Sequence, residues 1–378
     1  MVDIKTILAN KRLDRHSDKW HRAFNKITEE DVNKALNNPR GRYSFERLAT
    51  FLSPAAKYYL EEMAQLAQGL TIQRFGSSIS LYAPLYVSSY CTNNCAYCAY
   101  NASNMIKRKR LSIDEAVAEA DIIASEGFRH ILLVSSRDSQ YITTDYLAGL
   151  AQKLKPRFSS ISVEIPPMSQ GDYQKLFKAG IDGVTLYQET YNRAKYAKYH
   201  PAGPKSDYNY RLDSHNRTAS AGMRRLGIGV LLGLFDWRIE TLALGEHAAF
   251  LMKKYWKSQV SFSFPRLRPA SNAATKFDYL ITDDNLVQMM LALRLCFADA
   301  GIVLSTRERA PLRDELVKLC VTRMSAGSKT SPGGYSGRGD SVNQFEIDDN
   351  RSPGEIAEQI KSSGLEVVWK DWDVGFNV

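Results

Sequence analysis

Apolar and polar positions along this chain change period in a regular order. Residues 1 to about 75 read as helical. Ser53-Pro54 marks a helix start, after which Tyr59, Leu60, Met63, Leu66, Ala67 and Leu70 recur at the spacing of one helix face. That pattern stops at Gly76, and a β-favouring run over 80–88 comes next. A unit then repeats: amphipathic helix, glycine, short apolar strand. Ser112-x-x-Glu115 is a capping box opening a helix that ends at Gly127, ahead of a strand over 131–134. Gly180 precedes a strand over 183–187, Gly227 one over 228–232, and Gly301 one over 302–305. Further strands are predicted over 161–165, 260–264 and 321–325, which makes eight.

Short apolar strands alternating with helices imply a parallel sheet buried on both faces. Eight such units predict closure into a (β/α)8 barrel of the TIM type, with an open doubly wound sheet as the alternative. Chemistry in a barrel belongs at the C-terminal strand ends. Three cysteines come after the first strand, Glu189 after the fourth, Arg266 and Arg268 after the sixth and Arg307 after the seventh, while Ser325 ends the eighth. The expected division is a helical extension over 1–75, the barrel over 76–330 and a tail over 331–378 that closes the barrel mouth.

Composition narrows the class only slightly. The 378 residues are 44% apolar and 24% charged, enough for a sizeable core in one large α/β domain or two small ones. No stretch approaches the roughly 18 uninterrupted apolar residues of a membrane span. The start, Met1-Val-Asp-Ile-Lys5, is polar and unlike a secretory signal, so the cytoplasm is the expected compartment. The formal net charge is +9. Its densest run, Lys107-Arg108-Lys109-Arg110, reads first as a solvated face and second as a landing site for an acidic electron donor. No aromatic residues interleave with it as stacking platforms, so nucleic acid is not expected.

Three of the five cysteines form Cys91-x-x-x-Cys95-x-x-Cys98. An odd total in a long chain favours a metal site over a disulfide framework. Cys296 and Cys320 sit in apolar patterns and are expected to be packing residues. Thiolates are the usual ligands of iron–sulfur clusters. Three on a four-iron cubane leave one iron open to a cofactor or substrate, much as catalytic zinc keeps an open position. Zinc itself is the competing reading, although no fourth cysteine or histidine lies near and His130 is the closest downstream.

Cys91-Thr-Asn-Asn-Cys95-Ala-Tyr-Cys98, with the aromatic Tyr97 flanking the last cysteine, resembles the signature of the radical S-adenosylmethionine (SAM) superfamily. The resemblance implies a [4Fe–4S] cluster on Cys91, Cys95 and Cys98, with SAM chelated at the open iron. Leu81-Tyr-Ala-Pro-Leu-Tyr86, Tyr187-Gln-Glu-Thr-Tyr191, His200-Pro201, Ser263-Phe-Pro-Arg-Leu-Arg-Pro269, Leu304-Ser-Thr-Arg-Glu308, Gln344-Phe-Glu-Ile-Asp-Asp349 and Trp369-Lys-Asp-Trp-Asp373 are similar to the anaerobic tyrosine lyases of thiamine biosynthesis, the 2-iminoacetate synthases, nearly from end to end. That family implies L-tyrosine as substrate, hydrogen removal at its amino group, Cα–Cβ cleavage to dehydroglycine and p-cresol, thiazole synthase as acceptor, and a flavodoxin- or ferredoxin-type electron donor. A sister family, the tyrosine-cleaving hydrogenase maturases, carries a second cluster on a cysteine-bearing C-terminal extension. No cysteine comes after Cys320 here, so none is expected in this tail. Tryptophan lyase is a third relative. A non-catalytic scaffold or cluster-transfer protein is the reading from another class, and it leaves the strand-end arginines without purpose.

The resemblance also assigns roles, each with a plainer alternative. Arg307 would grip the substrate carboxylate, or else pair with Glu308. Tyr86 would touch substrate, or fill the core. Ser325 would bond the polar end of the substrate ring, or fill a barrel layer. Glu189 and Arg211 would hold the amino and carboxylate ends of SAM, or form a surface salt bridge, and Gln188 would reach the ribose. One of Arg266 and Arg268 would contact SAM or substrate while the other braces a loop. The superfamily usually carries a glycine–glutamate element after the second strand. Here the stretch is Val134-Ser-Ser-Arg-Asp-Ser139, with Asp138 as the candidate replacement acid.

Overall fold

The computed structural model describes residues 2–16, 18–273, 276–337 and 340–370. Strands β1 (Ser78–Ser88), β2 (His130–Ser135), β3 (Ser160–Glu164), β4 (Gly183–Glu189), β5 (Arg225–Val230), β6 (Gln259–Ser263), β7 (Gly301–Leu304) and β8 (Arg323–Ser325) pair in parallel in chain order. β1 pairs with both β2 and β8, so the sheet closes into the expected eight-stranded barrel with helices outside. Successive side chains on a strand point to opposite faces. The outward set, including Ile161, Val163, Val184, Leu186, Ile228, Val260 and Phe262, joins one apolar core with the surrounding helices. The inward set is polar: Ser160, Ser162, Thr185, Tyr187, Ser261 and Ser263 line an internal cavity with Tyr82, Arg225 and Arg323. The interior therefore departs from the branched apolar filling usual in such barrels.

Some boundaries differ from the sequence expectation. Gly227 lies inside β5 and not ahead of it. A Cβ there would stand 2.5 Å from Thr185 Oγ1, so the glycine serves close strand packing. Ser53-Pro54 opens a 3-10 turn (Ala55–Tyr59), and the α-helix proper is Leu60–Phe75, ending at Gly76 with φ +67° as expected. Cys296 and Cys320 are fully buried packing residues.

The N-terminal helices pack on two outer barrel helices, Trp237–Lys254 and Asp283–Cys296. This explains why those two helices are buried almost all round. Gly245 sits at the closest approach, where any Cβ would collide with Leu48.

The tail does more than cover the mouth. Residues 330–337 and 340–349 cover it: Tyr335 donates to the Pro84 carbonyl (2.8 Å) and Tyr86 to Gln344 (2.9 Å). Asp349 then anchors the segment in a fully buried ion pair with Arg313, which also donates to the Ser325 carbonyl (2.6 Å). Beyond it, the helix Pro353–Ser362 leads to β9 (Glu366–Val368), which pairs with Ser78–Ser80 at the far end of β1 from the mouth. Half of the tail thus closes the opposite end of the molecule, because β1 outruns β2 and leaves backbone groups to pair. Trp369 packs edge-on against Phe128. Asp371-Trp372-Asp373 lie outside the described residues.

These buried charges bear on stability in two measurable ways. Asp349→Ala strands the Arg313 guanidinium and should lower unfolding free energy by about 3–5 kcal/mol in chemical denaturation. Burial also pushes His130 and His247 down to about 3 and His215 down to about 4. Each stays neutral in the fold yet takes up a proton once unfolded below its ordinary 6.5. The unfolded state then binds more protons, so stability should fall as pH drops from 6.5 toward 4. Thermal unfolding at pH 7.5 and pH 5 checks this; an unchanged midpoint would rule it out.

Candidate active site

Two backbone irregularities aim side chains at the barrel mouth. Register slips between Tyr86 and Ser88 on β1 and between Tyr187 and Glu189 on β4. Such bulges bend a strand and re-aim the side chains beyond the bend. Glu189 emerges with φ +71°, a left-handed conformation that a non-glycine residue adopts only when its surroundings impose it. Two cations hold it there. Lys205 Nζ (2.7 Å) and Arg211 Nη2 (2.9 Å) meet the same carboxylate oxygen, and Arg211 Nε donates to the Tyr187 carbonyl (2.7 Å). Burial would raise the Glu189 carboxyl, but Lys205 and Arg211 outweigh it and hold it at about 2. Lys205 also donates to the Tyr97 hydroxyl (3.1 Å), which lies 2.7 Å from His200 Nε2. His200 Nδ1 faces the Tyr196 carbonyl at 2.8 Å, so that nitrogen carries the proton and Nε2 accepts from Tyr97.

The cysteine loop leaves β1 and is tied down along its length. Ala96 N donates to the Tyr199 carbonyl (3.0 Å) and Asn94 N to that of Ala202 (3.1 Å). Gly203, at φ +86°, lets the chain pass so close that a Cβ would stand 2.5 Å from the Thr92 carbonyl oxygen. Arg108 donates to four carbonyls, of Ser89 (2.7 Å), Tyr100 (3.0 Å), Asn101 (2.6 Å) and Asn104 (3.1 Å). The basic run expected to be a solvated face is thus partly a loop clamp, since a planar guanidinium serves several acceptors at once. Arg110, from the same run, pairs with Asp138 (3.1 Å).

Cys91, Cys95 and Cys98 open onto one cavity with Tyr97, Glu189, Lys205, Arg211, Arg268 and Arg307. It admits the centre of a water molecule over about 140 Å³. Arg307 stacks on Phe345, its guanidinium carbon 3.4 Å from the ring centroid, and makes no ion pair among the described residues. Glu308, its alternative partner, pairs with Arg266, which also reaches Asp283 (2.7 Å) and so braces a loop. Arg268 lines the cavity and pairs with Asp348. Asp138 does not replace the missing acid: its carboxylate accepts from Ser88 (2.7 Å) and Arg110, while Ser135, Ser136 and Arg137 line the cavity instead.

Three candidates stand outside the lining. Tyr86 is buried and reaches the cavity through Gln344. Ser325 is buried, and its hydroxyl accepts from the Thr306 amide (3.0 Å), next to Arg307. Gln188 is the extra residue of the bulge, with a buried Nε2 that has no hydrogen-bond partner among the described residues. Sequence reasoning gave no role to Lys205, Gln344, Phe345 or Glu164, all of which line the cavity. Glu164 left a signal, an acid closing the alternation Ser160-x-Ser162-x-Glu164. Lys205 left none, because a loop alone brings it in.

Residues 85–244 match the Radical SAM superfamily and residues 263–366 the Biotin and Thiamin Synthesis associated domain. The chain is 39% identical to 2-iminoacetate synthase of Escherichia coli, over 94% of this chain and 96% of that protein. It is 42% identical to the enzyme of the same name from Salmonella typhimurium, over 93% and 92%. The chain belongs to the 2-iminoacetate synthase family. The FeFe-hydrogenase maturase HydG of Carboxydothermus hydrogenoformans superposes with a TM-score of 0.88 at 33% identity, over 98% of this chain and 86% of that one. This radical SAM lyase uses a [4Fe–4S] cluster and SAM, as its family does.

The residues present fit that cluster. No three His, Cys, Asp or Glu side chains among the described residues converge as ligands of one metal ion. Cys91, Cys95 and Cys98 line one cavity, where each would ligate a separate iron of the cubane. Asn93 N (3.4 Å) and Gln344 Nε2 (3.7 Å) donate to Cys91 Sγ and Cys98 Sγ, the kind of N–H···S contacts that tune such clusters. Among the described residues no helix is long and apolar enough to cross a membrane.

Lys205→Met leaves Glu189 with one cation. It should weaken SAM binding to the cluster-loaded protein by about 10- to 100-fold, the worth of one charged hydrogen bond. Equilibrium binding with iron and sulfide analysis checks this; unaltered affinity would count against it.

Proposed function

We propose that this lyase cleaves the Cα–Cβ bond of L-tyrosine, giving 2-iminoacetate and p-cresol, and that the former supplies the thiazole part of thiamine. The observation that carries this reading is Arg307, an uncommitted guanidinium in the same cavity as the three cysteines. An amino acid brings a carboxylate, which a guanidinium grips through two parallel hydrogen bonds. Phe345 fixes the guanidinium plane, and Ser325 positions the turn before it by accepting from Thr306. Tyr86 and Gln344 form the wall between the substrate side and Cys98. The 2-iminoacetate synthase relatives point the same way.

When bound, the reduced cluster and SAM supply a hydrogen-abstracting carbon radical. This chain's residues hold and orient. Cys91, Cys95 and Cys98 ligate three irons, and Glu189, Arg211 and Lys205 offer both signs of charge for the amino and carboxylate ends of SAM. Tyr97 steadies Lys205 and Arg268 lines the same cavity; Gln188, expected at the ribose, stands outside that lining. The tail excludes water, which suits a product that hydrolyses readily. Handover to thiazole synthase, and electrons from a flavodoxin- or ferredoxin-type donor in the cytoplasm, complete the reading. The helical segment over 1–75 buttresses the barrel over 76–330, and the described part of the tail over 331–378 packs on both of its ends.

Anaerobic incubation of cluster-loaded protein with SAM, a reductant and tyrosine should yield p-cresol and 5′-deoxyadenosine together. Deoxyadenosine without p-cresol would redirect the reading to another amino acid. Arg307→Ala should raise KM for tyrosine by about 100-fold with cluster content unchanged.

A further inference from the structure

Only two carboxylates line the cavity among the described residues, Glu164 and Glu189, and their surroundings drive them apart. Glu189 is saturated by Lys205 and Arg211. Glu164 has no ion pair among the described residues; its one hydrogen bond comes from the Tyr187 hydroxyl, at 3.3 Å. Strand geometry puts it there. Ser160, Ser162 and Glu164 share the inner face of β3, and Glu164 is the residue that reaches the mouth. Paired acids pushed to different affinities mark a division of labour between charge-holding and proton-handling.

Resting on the tyrosine-lyase reading, we propose that Glu164 is the catalytic base that takes a proton from the α-ammonium group of the bound amino acid while Arg307 holds its carboxylate. The ammonium is one carbon away from the carboxylate, and Arg307 and Glu164 line the same cavity. The step moves one proton and no electrons: an ammonium and a carboxylate become a neutral amine and a carboxylic acid. A neutral amine gives up an N–H hydrogen more readily than an ammonium, because hydrogen loss from the ammonium would leave a radical that also carries a positive charge. The carboxyl regains its charge when that proton passes on, and the benzylic fragment needs one electron and one proton to become p-cresol.

The surroundings suit a base at neutral pH. Burial pushes Glu164 up to about 7; Arg307, the Tyr187 hydroxyl and Arg211 pull it down, and Glu189 pushes it up. From β1, Tyr82 and Tyr86 face it as well, both kept protonated by burial. A base is most effective when its affinity lies near working pH. In the wild type, activity should fall on the acid side of about pH 7 and level off above it.

The test compares Glu164→Gln and Glu164→Asp with the wild type, anaerobically, tracking p-cresol and deoxyadenosine from pH 6 to 9. Glu164→Gln should lose about 100-fold in kcat with KM for tyrosine changed less than about threefold. Its residual rate should climb about tenfold per pH unit as the substrate amine deprotonates unaided. Glu164→Asp should recover part of the loss and keep a levelling profile. A Glu164→Gln rate and profile like the wild type, or a loss that higher pH does not restore, overturns the proposal. If Glu164→Gln fails to fold, a wild-type profile without an acid limb overturns it equally. Wild-type protein that forms no p-cresol sinks the lyase reading, and the assignment of Glu164 with it.

Discussion

Closing a parallel barrel forces each strand to serve two environments at once. One face must be apolar, because helices cover it, and the other must be small or polar enough to share a narrow interior. The two-residue period of β structure keeps the assignments in register from one end of a strand to the other. On β3 it carries Ile161 and Val163 outward and Ser160, Ser162 and Glu164 inward. Where strict alternation would misplace a group, a bulge corrects it, as on β4 before Glu189. The active site is the upper layer of a barrel whose inner face is largely polar, with Leu132 and Val303 among the exceptions.

The cavity has unequal ends. Near the cysteines, Lys205, Arg211 and Glu189 satisfy one another and orient Tyr97 and His200 behind them. Near Arg307 and Glu164, opposite charges face the opening without a direct pair. The first arrangement keeps a fixed field whether or not a ligand is present; the second leaves groups free to change partners when one arrives. Such a split suits a cofactor held in one fixed pose during the reaction and a substrate whose charged groups take new partners as it binds.

Much of this architecture is legible in the sequence. Strand periodicity locates eight strands and their closure, and three thiols in one short loop locate the metal centre. Glu189, Arg211, Arg268 and Arg307 can be found because they sit at strand ends or in recognisable motifs. Interior polarity cannot, since single serines in apolar runs look like ordinary variation until the barrel lines them up. Lys205 escapes because a loop brings it to the site, and the fate of Arg108 and Asp138 depends on partners far along the chain. Ser325 and Tyr86 fall on their expected strands, yet a neighbour claims the hydroxyl of each.

The path of the tail has a mechanical meaning. β1 launches the cysteine loop from its upper end, bonds the covering segment through Pro84 and Tyr86, and receives β9 at its foot. Floor, roof and doorway hang on a single beam. A small shift of that beam would move the place where electrons arrive and the wall that shuts out solvent in step, coupling the two events without any separate messenger.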